Sequence, residues 1–458
     1  MKKLLSIIFL IIVALPTMLY SQDKVWTLEE CILYAIDNNI QIKQQVVQTN
    51  YQKNAFDLAK LKLLPTLNGS ATHNYSFGRA LDETTYQFTE QENVQSNNFY
   101  LGGSLTVFNG LQNLNSIRKS RYDLLASEED LQSIKDNVAL NVALGYLQIL
   151  LNKELVATTE NQLQITLLQI ARTRRLVDAG SAAMGDLLQI ESQAAQEEVQ
   201  LINLQNQLES SYLTLTQLLE LQSPEGFEIV APDITIDTAT VITGNIDDIF
   251  SLAEGTRPEI KSSEYALTAS EFDLKISSGA RMPRITMNHS FSTGYSDIRK
   301  KLLSIDPVTG PVYGNYSFAD QVNDNINYGI GLTMSVPILN GWQINKNISN
   351  SRLRIENTRY TLEGTRKQLY KNIQQAYTDA VAALKKYNAS QKAVTASEES
   401  FRYTEQKFNV GLVNPVDYNA AKNQLLSAQS GLTQAKYEFL FKTKVLDFYK
   451  GIPITLPE

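Results

Sequence analysis

The chain has 458 residues, one cysteine and a formal charge of −7, and charged residues make up 19% of it. This balance argues against nucleic acid as a partner, and a lone cysteine excludes an intrachain disulfide framework. At 12, prolines are too few to break up long helices.

Lys2 and Lys3, the apolar run Leu4 to Leu15, Pro16 and a polar stretch to Ser21 read as an export signal over residues 1–21. The run is too short for a spanning helix, which needs roughly 20 apolar residues. The mature chain is expected to start near Gln22, and no later stretch is apolar enough to span as a helix. Any crossing of a membrane must therefore use β-strands. Cys31, about ten residues past the expected cleavage point, reads as a half-buried helix residue and not as a lipid attachment site.

The chain is duplicated. Phe108-Asn-Gly recurs as Leu339-Asn-Gly at an offset of 231, which also carries Leu131 to Leu362, Tyr146 to Tyr377, Gly180 to Gly411 and Asp186 to Asp417. Residues 22–221 form the first copy, 222–245 a linker and 246–458 the second. Each copy reads helix, proline, strand, polar loop, strand, Asn-Gly turn, very long helix, glycine tip and returning helix. The second carries about 13 extra residues in its loop, Ser296 to Asn325.

The leading helices are expected over Leu28 to Leu64 and Ile246 to Ser278. No proline interrupts Leu111 to Val177 or Trp342 to Val410, so each long helix of roughly 67 residues would extend about 100 Å. Its heptads run through Val138, Val142, Ile149, Val156, Leu163 and Ile170. The return helix, Asp186 to Leu221, carries a seam at Ile190, Ala194, Glu197, Leu201, Leu204, Leu208, Ser211 and Leu215; copy two continues it through Ala421, Leu425, Ala435, Phe439 and Leu446. In the strands Ile285, Met287, His289 and Phe291 alternate, as do Ile330, Leu332, Met334 and Val336, and Leu101, Gly103, Leu105 and Val107. Strands of about ten residues cross a bilayer at a tilt. Four cannot close a transmembrane barrel, so copies of the chain must assemble.

These features resemble TolC-like outer-membrane efflux proteins along the whole mature chain. The likeness rests on the duplicated order, the opening Trp26-Thr-Leu-Glu-Glu-Cys, the two Asn-Gly turns, and tips in which Gly180 and Gly411 precede Asp186 and Asp417, with Gln193 and Gln424 seven residues further on. The resemblance implies a mainly α fold with a membrane β part. Four strands per protomer would contribute to a trimeric 12-stranded outer-membrane barrel, and an internally duplicated long-helix α-barrel would reach across the periplasm. It implies a passive exit duct that is not an enzyme and takes no cofactor. Its partners would be outer-membrane lipid, a periplasmic adaptor and an inner-membrane efflux pump or ABC exporter. It places a gate at Asp186, Asp417, Phe408 and Leu412, and adaptor docking at the tip turns with Gly180, Gly411 and Val413. Phe408 stands where relatives carry a tyrosine, Val413 where they carry an arginine, and Ala420 where they carry a second acid.

The glycines also fit ordinary helix C-caps, and Asp186 and Asp417 fit N-caps of the return helices. His73 and His289 fall in corresponding strands, at barrel-surface or lumen positions. Tyr86, Tyr295, Tyr313 and Tyr316 belong to an aromatic girdle or to external loops. A diffusion porin would devote most of its length to strands. A coiled-coil scaffold would explain the helices but not the two alternating hairpins.

Overall fold

The computed structural model describes residues 25–79, 81–82, 87–88, 92–232, 236 and 244–455. The export signal, Tyr86 and part of the linker, residues 233–235 and 237–243, lie outside the described residues. In chain order the main elements are α1 (Leu28–Asn38), α2 (Ile40–Leu61), β1 (Asn68–Gly78), β2 (Glu92–Asn109), α3 (Gln112–Asp178) and α4 (Met184–Leu218). The second copy follows as α5 (Ile246–Thr256), α6 (Pro258–Gly279), β3 (Arg284–Ser296), β4 (Asn327–Ser335), α7 (Gln343–Asn409) and α8 (Pro415–Tyr449).

The duplication is repeated in backbone detail. Helices α3 and α7 each have 67 residues and α4 and α8 each have 35, and all four boundaries recur at the offset of 231. So do the left-handed residues: Gly110 with Gly341, Leu111 with Trp342, Gly180 with Gly411, and Glu220 with Gly451.

Each leading helix differs from the expectation by being broken once. At Asn39 the side-chain Oδ1 accepts from the backbone N–H groups of Gln41, at 2.9 Å, and Ile42, at 3.4 Å, so it caps α2 while the backbone turns extended. At Arg257 the following Pro258 supplies no N–H and disfavours helical backbone before it, so α5 ends and α6 begins with the proline. The return helices start earlier than read, at Met184 and Pro415.

The described chain divides into two compact units, and each copy contributes to both. The first comprises residues 48–129 and 261–364 and holds one antiparallel sheet of order β4-β3-β2-β1. Its register puts Gly69, Leu101, Phe291 and Tyr328 in one row across the strands, and Leu105, Met287 and Leu332 in another. Paired residues share a face, so one face carries Leu101, Phe99, Leu105, Ile285, Met287, Phe291, Ile330, Leu332 and Met334. The other carries Ser70, Thr72, Asn98, Ser104, Thr286, Asn288, Ser290 and Thr333. The apolar face of β4 is exposed: Tyr328, Ile330 and Leu332 are 81%, 80% and 71% accessible. Among the described residues, the outer edges of β1 and β4 pair with no strand. The extra residues of the second loop fold as a hairpin, Lys300–Asp306 with Gly310–Asn315, and a short helix, Phe318–Asp324.

In this unit the backbones at Gly110 and Gly279 meet. A Cβ on Gly110 would stand 2.1 Å from the Gly279 carbonyl oxygen, and one on Gly279 would stand 2.3 Å from that of Gly110. Only glycine permits the approach, and Gly110 also has φ of 66°.

The second unit comprises the described residues within 1–47, 130–260 and 365–458. Its apolar core gathers Leu28, Cys31, Ala35, Val142, Tyr146, Ile149, Leu150, Leu215 and Leu219. Cys31 is fully buried, not half-buried, because the side of α1 that carries Leu28 and Ala35 packs into this core. The hydroxyl of Tyr146 stands 2.5 Å from the Val230 carbonyl and 3.2 Å from that of Trp26. It thereby fastens the parallel pair Val25–Trp26 and Glu228–Ile229 to α3.

Candidate functional site: the helical tips

Both long helices stop in the same way. At Gly180, φ is 68°; its N–H donates to Val177 at 2.9 Å and that of Ser181 to Leu176 at 2.7 Å. At Gly411, φ is 77°, with matching bonds to Phe408 at 3.0 Å and from Leu412 to Lys407 at 2.9 Å. Each is a glycine-terminated cap of the kind that satisfies a helix's last carbonyls.

The carboxylates are not the N-caps. Ala183 caps α4 without a side-chain bond, and Asn414 caps α8, so Asp186 and Asp417 each fall in the first helical turn. Asn414 Oδ1 accepts from the Asp417 N–H at 2.9 Å, and its Nδ2 donates to the Asp417 carboxylate at 3.0 Å. Asp417 remains exposed and Asp186 is half-buried. Both sit where the helix dipole favours negative charge.

Phe408 turns inward against Tyr418, with ring centroids 4.4 Å apart, while Leu412 is 76% accessible. Between the two tips lies a cavity of about 690 Å³ lined by Leu176, Asp186, Ile190, Phe408, Val413 and Tyr418 among others. The side-chain amide of Asn419 also lines it, is buried, and has no hydrogen-bond partner among the described residues.

Away from the tip the expected heptads of α3 hold at Val138, Val142 and Ile149, which are buried. Toward the tip the burial passes to Thr159, Thr166 and Thr173, spaced by seven, with Gln162 and Gln169 between them. That polar repeat is present in the sequence, but its threonines and glutamines carry no apolar periodicity to mark it as a buried face. Against it lie the most buried charges of the unit: Lys422 and Glu197, with side chains 4% and 2% accessible. Lys422 Nζ donates to Thr166 Oγ1 at 2.6 Å and stands 3.9 Å from Glu197 Oε1. The Thr166 hydroxyl in turn donates to Glu197, whose other oxygen accepts from Gln193 at 3.0 Å. Burial lowers the affinity of Lys422 for its proton, and the Glu197 charge opposes that shift in part.

His73 and His289 lie on the sheet's apolar face; His73 Nδ1 is 2.5 Å from Asn97 Oδ1, and His289 is paired with Ile330 and Gly103. Tyr295 packs on Phe318 at 5.1 Å, and the Tyr316 hydroxyl donates to Asp324 at 3.0 Å, so both belong to the second loop's fold.

The family model "Outer membrane efflux protein" matches residues 32–220 and 249–446. The outer membrane efflux protein BepC of Brucella suis biovar 1 is 21% identical over 326 residues, 71% of this chain and 63% of that protein. The pyoverdine export outer membrane protein OpmQ of Pseudomonas aeruginosa is 25% identical over 276 residues, 58% of this chain and 56% of its own. The chain thus spans less than two thirds of the length of these relatives. Among solved structures, CusC superposes with a TM-score of 0.78 at 16% identity, covering 93% of this chain and 92% of its own. VceC of Vibrio cholerae gives 0.75 at 15%, covering 93% and 96%. These structures share the fold, and both copies match one family model over more than half of the chain: the chain belongs to the outer membrane efflux protein family.

Proposed function

We propose that three copies of this chain form an outer-membrane channel-tunnel, a passive exit duct for substrates delivered by an inner-membrane pump through a periplasmic adaptor. The observation that carries this reading is the two-faced sheet. One face is apolar and exposed, the other is lined by Ser, Thr and Asn, and both edges are unpaired. Open edges seek partners, and edge β4 of one copy joined to β1 of the next would give twelve strands with apolar residues toward lipid and polar ones toward a lumen. A scaffold without a pore has no use for the polar inner face. The tips bearing Gly180, Gly411 and Val413 serve as the adaptor's landing, and Asp186, Asp417, Phe408 and Leu412 as the periplasmic constriction. The loop Ser296 to Asn325 then lies outside the cell.

Mass measurement and crosslinking of the protein extracted in mild detergent test the assembly. A trimer that resists mild heating is expected; a monomer or dimer alone would refute the duct.

A further inference from the structure

The polar side chains that follow Asn419 along α8 are engaged. Lys422 bonds Thr166, and Asn423 exchanges two amide bonds with Gln193, of 3.0 and 3.2 Å. Asn419 itself is 6% accessible, and among the described residues neither its Oδ1 nor its Nδ2 has a partner. In the same cavity Gln169 bonds the Tyr418 hydroxyl, yet its Oε1 is also buried without a partner. Buried polar atoms are rarely left so, because each has lost its bonds to water and gained nothing in exchange.

The cavity these amides share also has an apolar wall, to which Leu168, Leu176, Ile190 and Phe408 contribute. Leu168 and Leu176 are exposed. At about 690 Å³ the cavity has the size of a small-molecule site, in which an apolar wall is combined with a few placed polar groups. Its lining comes from both tip hairpins of one chain, so it needs no second copy. Its charged members are Arg172, Asp186 and Glu405, and Arg172 already donates to Asn409 at 3.1 Å. The two carboxylates disfavour an anionic occupant.

The orphaned atoms are two acceptors, Asn419 Oδ1 and Gln169 Oε1, and one donor group, Asn419 Nδ2. A carboxylate only accepts and an ammonium only donates, whereas a primary carboxamide offers two N–H groups and a carbonyl. We infer that the tip cavity is a binding site for uncharged aromatic carboxamides. The ring lies on the apolar wall beside Phe408 and Tyr418, and the amide pairs with Asn419 and gives its second N–H to Gln169.

Equilibrium dialysis against the detergent-extracted protein, with protein-free micelles as the blank, tests this with three probes of one shape. Naphthalene-2-carboxamide should bind at least tenfold tighter than 2-acetylnaphthalene, which keeps the carbonyl but has no N–H, and naphthalene-2-carboxylate should not bind measurably. Asn419→Leu should weaken carboxamide binding at least tenfold and abolish its advantage over the ketone. An azido derivative of the carboxamide, activated by light, should label peptides within residues 165–190 or 405–419. Equal affinity for carboxamide and ketone in the parent, an advantage that survives Asn419→Leu, or labelling confined to other segments overturns the site. Absence of carboxamide binding overturns it too, and is the result expected if water alone fills the cavity. Should Asn419→Leu fail to fold, the preference shown by the parent and the labelled peptides decide between these outcomes.

Discussion

Phe408 and Tyr418 pack with ring centroids 4.4 Å apart, with Phe401 at 5.4 Å on the same phenol, so the aromatic at the second tip is spent inside its own hairpin. Burial, aided by the charge of Glu405, pushes the Tyr418 hydroxyl from 10.0 up to about 12. The folded protein therefore holds this proton more tightly than the unfolded chain does. The stability linked to it is complete below pH 10 and is lost as pH rises through about 12. Thermal unfolding followed by helical circular dichroism should show a smaller loss between pH 10 and 12 in Tyr418→Phe than in the parent. Equal losses would mean that the phenol is not held in this way.

The two kinds of turning glycine should respond differently to alanine. Gly180→Ala introduces only the left-handed strain, about 1 kcal/mol, since nothing lies within 4 Å of the new Cβ. Gly110→Ala adds a collision with the Gly279 backbone that no rotamer can relieve, so a loss of several kcal/mol is expected on the scale of overpacking and strain. Heat resistance of the detergent-extracted oligomer should fall steeply for Gly110→Ala and by only a few degrees for Gly180→Ala; equal losses would contradict the close approach.

Much of this architecture was legible because duplication checks itself: an offset taken from one Asn-Gly turn predicted helix ends and left-handed residues far down the chain. Strand faces were legible because alternation of Ile285, Met287 and His289 has a period of two that no helix shares. The breaks at Asn39 and Arg257 were not, because the apolar pattern continues through them; only a self-capping asparagine and Pro258 marked them. The Lys422–Glu197 contact joins residues far apart in sequence, and Glu197 was read merely as a member of a heptad seam. Nor did the sequence show that Phe408 would turn inward, since that depends on Tyr418 and Phe401 converging from two helices.

Lys422 and Glu197 should show the asymmetry of a buried pair. Lys422→Met leaves the carboxylate buried with no cation beside it and should cost about 3–5 kcal/mol. The double change with Glu197→Leu removes both charges and should recover most of that loss, since apolar replacement of a whole buried pair is often neutral. Denaturant unfolding of the four variants of the cycle gives the coupling. Additive losses would show that the two side chains do not compensate one another.

Asp417 and Asp186 should together make the periplasmic constriction prefer cations. The Asp417 carboxylate spends one interaction on Asn414 and is otherwise exposed at the start of α8, and Asp186 holds the matching place at the start of α4. Threefold symmetry would bring three Asp417 carboxylates around one axis. At about 6 Å and an effective dielectric near 20, each pair repels by roughly 3 kcal/mol, which a bound multivalent cation relieves. Val413, at the turn before Asp417, brings no charge to offset the acids, and exposed Leu412 would add apolar contact to the constriction. Planar-bilayer recordings should show cation preference and block by trivalent cations falling in Asp417→Ala and disappearing with Asp186→Ala added. Asp417→Asn separates the charge from the bond to Asn414, because its amide oxygen can still accept from Asn414 while carrying no charge: it should match Asp417→Ala in ion preference and fall below the parent in stability by only the lost dipole interaction, about 0.3–1 kcal/mol. If both Asp417 variants keep the parent's cation preference and block, the acidic constriction does not exist.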